Sequence, residues 1–151
     1  MRVLVTGGAG FVGGSLCQKL MQDNHEVFVI DDLSTGFTEN QIGKVRYFQL
    51  SIHEMKSNFF KIYLPNQDFD VVFHLAARPR VTTSVKDPYN TTYANLISTL
   101  KMLEYIRQLE HKPRFVYFSS SSVYGGADVM PTPEDFPVNP QSPYALQKYQ
   151  G

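Results

Sequence analysis

Tryptophan is absent from this 151-residue chain, cysteine occurs once, and neither sign of charge is in excess: 14 Lys and Arg stand against 14 Asp and Glu. Each lack removes a class of protein. Balanced charge gives no general attraction to nucleic acid or to an anionic membrane, both of which need a basic excess. No run approaches the ~18 uninterrupted apolar residues that span a bilayer. The opening MRVLVTGG has neither the apolar stretch nor the cleavage site of a secretory signal. Cys17 has no partner for an internal disulfide, so a cytoplasmic, reducing location is expected. With apolar neighbours in a helical stretch, it reads as packing. None of the four histidines has a Cys or second His at ligand spacing, so no metal site is expected. His74 closes an apolar run and reads as a satisfied core residue; His25, His53 and His111 read as surface or loop.

What the chain does contain is an alternation of short apolar runs and longer helical stretches, in a length that suits one domain over residues 1–151. Arg2–Thr6, Glu26–Ile30, Val45–Gln49, Asp70–His74 and Arg114–Ser119 are short and rich in Val, Ile, Phe and Tyr, as buried parallel strands are. Helices are expected at Phe11–Gln22, near His53–Tyr63 and from Pro88 to about Gln108. Val12, Leu16 and Leu20 would make the apolar stripe of the first, and Leu96, Leu100, Leu103 and Ile106 that of the last. Strands alternating with helices predict an α/β fold with a doubly wound parallel sheet, the Rossmann arrangement. The Pro-rich stretch Pro131–Pro143 is expected to be an ordered loop, and Val129–Ser142 to carry the chain over the mouth of a site to a final helix.

TGGAGFVGG at Thr6–Gly14 stands between the first strand and the first helix. Gly7 permits a tight turn, Gly10 lets backbone approach a pyrophosphate, and Gly13 allows close packing of the helix. A helix N-terminus then offers free N–H groups and a positive dipole to phosphates. Asp31 ends the second strand, where a carboxylate holds a ribose diol. Asp31 and Asp32 together would repel a 2′-phosphate, which favours NAD over NADP.

Near the other end, Tyr144 and Lys148 are four residues apart, on one face of a helix. A free phenol, with a pKa near ~10, is a poor base at neutral pH. A neighbouring ammonium favours the phenolate. A hydroxyl from the end of the fifth strand, one of Ser119 to Ser122, would complete the set by holding a substrate oxygen.

In this order, TGGAGFVG, DDLSTG (Asp31–Gly36), HLAARPRV (His74–Val81), YANLIST (Tyr93–Thr99), FSSSSVYG (Phe118–Gly125) and SPYALQK (Ser142–Lys148) resemble the extended short-chain dehydrogenase/reductase family, in particular its nucleotide-sugar epimerases and dehydratases. The resemblance implies that Phe11 and Val12 donate N–H groups to the pyrophosphate. It implies that Ser34, Thr35, Gly36, Ile52, Leu75, Ala76 and Ala77 surround the cofactor. Arg80 would sit near the nicotinamide, and Asn95 on the long helix. Ser51 stands where the family usually has an Asp that meets the adenine amino group.

Counting back four residues from Tyr124 makes Ser120 the family's hydroxyl, with Ser121 as the alternative. Dehydratases of the family carry an acid pair before Val-Tyr-Gly and decarboxylases a Glu; here Ser121 and Ser122 stand there. The resemblance therefore implies an NAD-dependent 4-epimerase of UDP-glucose/UDP-galactose type with Tyr144 as base. Another nucleotide-sugar enzyme (4,6-dehydratase, decarboxylase or reductase) and a non-catalytic NAD-binding module are the alternatives. Family members are about twice as long, so the fold is expected to be truncated before a C-terminal substrate domain that grips the UDP-sugar. The full-length parent is expected to be a homodimer.

Overall fold

The computed structural model describes residues 1–56, 58–59, 63 and 68–151. Its centre is a sheet of five parallel strands: β1 (Arg2–Thr6), β2 (Glu26–Asp31), β3 (Arg46–Gln49), β4 (Val71–His74) and β5 (Arg114–Tyr117). They are ordered β3-β2-β1-β4-β5. The chain winds outward from β1 in one direction through β2 and β3, then returns to β1's other edge for β4 and β5. This is the doubly wound, Rossmann-type order, with its reversal between β1 and β4. Register brings Thr6 level with Ile30 and His74, and His74 level with Tyr117, so the strand ends form one rim.

Strand periodicity divides the core in two. Leu4, Phe28, Ile30 and Val72 face one side and join Phe69, Met102 and Ile106. Val3, Val5, Val27 and Val29 face the other and join Cys17 and Leu20. Helix α1 (Phe11–Gln22) covers this second layer. Its buried stripe is Gly13, Cys17 and Leu20, not the expected Val12, Leu16 and Leu20. Val12 is over half exposed because the helix's first turn opens on a cavity rather than on the sheet.

A short helix α2 (Val81–Lys86), not foreseen from the sequence, precedes a long helical rod. The rod starts as α3 (Pro88–Thr92), widens into a π-helical turn at Tyr93–Ile97 and continues as α4 (Ser98–Gln108). Asp87 caps α3 by accepting the Asn90 N–H at 3.2 Å, with Pro88 in the first helical position, where a missing N–H costs nothing. The sheet-facing residues of α4 are Thr99, Met102 and Ile106; Leu100 and Leu103 point outward, contrary to the expected stripe. A polar contact helps to choose the face: the Thr99 hydroxyl meets His74 Nε2 at 3.1 Å.

The last helix, α5 (Pro143–Gln150), is capped by Ser142, whose hydroxyl accepts the Ala145 N–H at 3.1 Å. The helix expected near His53–Tyr63 falls partly outside the described residues; at its start, Ile52–Glu54 is a 3-10 turn. Among the described residues, no helix is long and apolar enough to cross a membrane.

Candidate active site

A cavity of about 880 Å³ runs along the rim of strand ends. Its floor at the centre is the β1–α1 loop. Gly7 has φ +76°, and a Cβ there would stand 2.8 Å from the Ala76 nitrogen. A Cβ on Gly13 would lie 2.1 Å from the Gly7 carbonyl oxygen. Gly10 is different: only the Gly7 oxygen approaches, at 3.3 Å, and the residue opens on the cavity. It caps α1 with no side-chain hydrogen bond. The first-turn N–H groups of Phe11, Val12 and Gly13 therefore have no helical partner and face a ligand-sized space.

Asp31 lies at the β2 side of this loop. Its Oδ2 accepts the Ala9 N–H at 2.9 Å and its Oδ1 the Leu33 N–H at 2.8 Å, which fixes the carboxylate against the glycine turn. Leu33 is left-handed, with φ +58°. Asp32, Ser34, Thr35, Ser51 and Ile52 complete that end of the cavity. The Ser51 hydroxyl is paired with His53 Nδ1 at 2.8 Å. Gly36 lies behind the wall, packed on Ala9. Leu75, Ala76, Ala77, Arg78, Pro79 and Arg80 form the wall beyond β4. Arg78 was not anticipated; its Nε is buried with no hydrogen-bond partner.

Tyr144 and Lys148 line the opposite end, beside Phe118 and Ser119. The Tyr144 N–H is held by the Ser84 hydroxyl of α2 at 3.0 Å. Lys148, 4% exposed, donates from Nζ to the Phe118 carbonyl at 2.8 Å. Its Nζ also stands 4.8 Å from the centre of the Tyr117 ring. Burial lowers this amine from its ordinary 10.5 to about 8. His74 is a satisfied core residue, with Thr6 Oγ1 at 2.8 Å from Nδ1 and Thr99 on Nε2. Burial first, and then the Lys148 charge, push its pKa down to about 3.

Ser120 does not line the cavity. It caps the 3-10 turn Ser121–Tyr124, accepting the Ser122 N–H at 3.2 Å and the Ser122 hydroxyl at 2.9 Å. Having accepted twice, its own O–H is left to donate. Ser121 is exposed and off the cavity. Asn95 is buried behind the β4–α2 wall, where its Oδ1 accepts the Arg78 N–H at 2.7 Å.

The Pro-rich loop corrects an expectation: none of residues 126–142 lines the cavity. The loop folds back on the 3-10 turn instead. Asn139 N–H donates to the Val123 carbonyl at 2.8 Å, and Phe136 packs edge-on against Tyr124. Sequence reasoning missed Ser84 and Gln147 as well as Arg78. Only Gln147 carried any signal, its position beside Lys148.

The glycine cradle, the free helix end, the fixed carboxylate and the unpaired Arg78 Nε suit a dinucleotide with an anionic centre. Among the described residues, no three His, Cys, Asp or Glu are grouped to hold a metal ion.

The profile of the NAD dependent epimerase/dehydratase family matches residues 3–151. A UDP-glucose 4-epimerase of Mycolicibacterium smegmatis is 39% identical, over all of this chain and 49% of its own length. The crystal structure of the Thermotoga maritima UDP-glucose 4-epimerase with UDP-glucose superposes with a TM-score of 0.87 at 37% identity, over 99% of this chain and 48% of that one. A UDP-glucuronic acid decarboxylase 1 of Danio rerio is 38% identical, over 95% of this chain and 34% of its own length. The chain thus spans about half the length of the epimerases it matches.

Proposed function

Since the chain belongs to the NAD-dependent epimerase/dehydratase family, we propose that it is the cofactor-binding domain, residues 1–151, of a nucleotide-sugar 4-epimerase of UDP-glucose/UDP-galactose type. The observation that carries this reading is that Tyr144 and Lys148, on one helix, line the same cavity as the Gly7–Gly13 loop. Bound there, NAD supplies a hydride acceptor that can return what it takes. Phe11 and Val12 would hold the pyrophosphate by their N–H groups, and Asp31 a ribose.

The chain's own chemistry is proton transfer. Tyr144 takes the proton of the sugar's 4-hydroxyl at its phenol oxygen and later gives it back. Lys148 lines the same cavity, and the Phe118 carbonyl fixes where its ammonium sits. Ser120 keeps an O–H to donate but stands outside this cavity, at the start of the 3-10 turn.

Epimerisation is favoured over decarboxylation or dehydration by where the acids are. Among the described cavity-lining residues the only carboxylates are Asp31 and Asp32. They end β2, three strand spacings or about 14 Å from β5. The Tyr144 end has Ser119 and no acid to act at a second carbon. UDP-sugar recognition falls to parts of the whole protein outside this chain. Exposed Leu100, Leu103, Leu146 and Tyr149, on the rod and α5, support its pairing as a homodimer.

The test is Tyr144→Phe in the whole protein, with UDP-glucose and UDP-glucuronate as separate substrates. Interconversion of UDP-glucose and UDP-galactose is expected to fall about 10³-fold, with NAD affinity unchanged. Undiminished turnover would remove Tyr144 as the base, and carbon dioxide release from UDP-glucuronate would favour the decarboxylase reading.

A further inference from the structure

Gln147 is 4% exposed although it is an amide on a short terminal helix. Every polar atom of its side chain is used. Nε2 donates to Thr91 Oγ1 at 3.2 Å and to Thr92 Oγ1 at 3.0 Å. Oε1 accepts from Asn95 Nδ2 at 2.7 Å. Asn95, 1% exposed, accepts the Arg78 N–H at 2.7 Å and gives its second amide hydrogen to the Arg78 carbonyl at 3.3 Å.

The orientation of both amides follows from their partners. Thr91 donates its hydroxyl hydrogen to the Asp87 carbonyl at 2.9 Å, and Thr92 to the Pro88 carbonyl at 2.7 Å. Each can then only accept from Gln147, which turns Nε2 toward the threonines and Oε1 toward Asn95. The Arg78 N–H in turn fixes Asn95 Oδ1. Reversing either amide would set donor against donor.

This relay joins three pieces of the molecule. Thr91, Thr92 and Asn95 belong to the rod, Asn95 within its π-helical turn. Gln147 belongs to α5, one residue before Lys148. Arg78 belongs to the β4–α2 wall, whose Arg78, Pro79 and Arg80 line the cavity.

We infer that Gln147 is a positioning residue, acting through Asn95 on the Arg78 backbone and through its own helix on Lys148, so that the cavity wall and the Tyr144–Lys148 helix are held in one fixed relation. The inference deepens the proposed function and takes its ligand, NAD, from that reading; the mechanical coupling itself does not depend on it. Removing the amide leaves the Asn95 amide hydrogen and two threonine oxygens without their buried partner, and α5 can slide relative to the wall.

Gln147→Met has similar reach and no hydrogen bonds; Thr92→Val removes one acceptor at a half-buried position and spares the core. Three readouts apply to the whole protein: NAD affinity by calorimetry, the titration of Lys148 from its acetylation rate against pH by mass spectrometry, and Tm. Gln147→Met should weaken NAD about tenfold and move the Lys148 titration toward that of an ordinary lysine. Thr92→Val should move both the same way by about twofold with Tm nearly unchanged, and it decides the matter if Gln147→Met does not fold. Combining Gln147→Met with Asn95→Leu should cost no more affinity than the worse single change. A folded variant in which either NAD affinity or the Lys148 titration stays at its wild-type value overturns the inference. If the unaltered protein binds no NAD, the proposed function falls, and the Lys148 titration alone decides the role of Gln147.

Discussion

The two ends of the cavity are built by different physics. The glycine end is mostly backbone: a turn at φ +76°, close approaches that exclude a Cβ, and a helix terminus, all within Gly7–Gly13. Its distant side-chain braces close on one residue: Asp31 accepts the Ala9 N–H across 22 residues, and Asn40 Nδ2 donates to the Ala9 carbonyl across 31. The tyrosine end depends on side chains meeting across the fold. Lys148 reaches Phe118 over 30 residues, Gln147 reaches Asn95 over 52, and Ser84 meets the Tyr144 backbone over 60. A site made of backbone fails by steric collision; one made of distant bonds fails by losing alignment. The first kind of failure is abrupt and the second graded.

Gly13→Ala should show the abrupt kind and the largest effect. Its Cβ would overlap the Gly7 carbonyl, backbone against backbone, with no flexible side chain to give way. A loss of at least about 3 kcal/mol is expected in urea unfolding, together with loss of NAD binding. Near wild-type stability would mean that the turn yields, and the contrast between the two ends would collapse.

Lys148→Met probes the other end through pH. The amine titrates at about 8 in the folded chain against 10.5 ordinarily, so the fold penalises its charged form. Below pH 8 both states hold the proton and the cost is constant. Between 8 and 10.5 only the unfolded chain holds it, so stability from this group rises with pH. The variant lacks that rise. Its stability relative to wild type should be highest below pH 8 and decline toward pH 10.5, by at most about 3 kcal/mol. A flat difference curve from chemical denaturation would show that the ammonium bears no burial cost. Turnover in the whole protein should be lost at every pH, a gain in stability set against function.

Ser84→Ala is the smallest change. It leaves the buried Tyr144 N–H without its acceptor and should cost about 1 kcal/mol in thermal unfolding. If it cost nothing, α5 would be placed by apolar packing alone, and the distant bonds would be accessory.

The same division explains which features were legible in the amino-acid sequence. Short apolar runs such as Val3–Val5 and Val27–Ile30, separated by helical stretches, pointed to the parallel sheet. The loop between β1 and α1 was legible because turn, helix start and close packing are settled by neighbours in the chain. Where the apolar pattern was extended to helix faces, it misplaced Val12, Leu100 and Leu103. At Val12 the first turn opens on a cavity, and on α4 the Thr99–His74 bond brings a polar residue to the sheet.

By itself the sequence determined the five strands and their alternation with helical stretches, the glycine cradle, the acid at the end of β2 and the Tyr144–Lys148 spacing. These rest on local backbone preference, the two periodicities and motifs contiguous in the chain. Tertiary structure alone decided that Lys148 is buried on the Phe118 carbonyl, that Arg78 faces the cavity, that the Pro-rich loop stays off it, and that Gln147 and Asn95 join helix to wall. Those outcomes depend on groups dozens of residues apart, which come within hydrogen-bonding distance only once the sheet has closed beneath them.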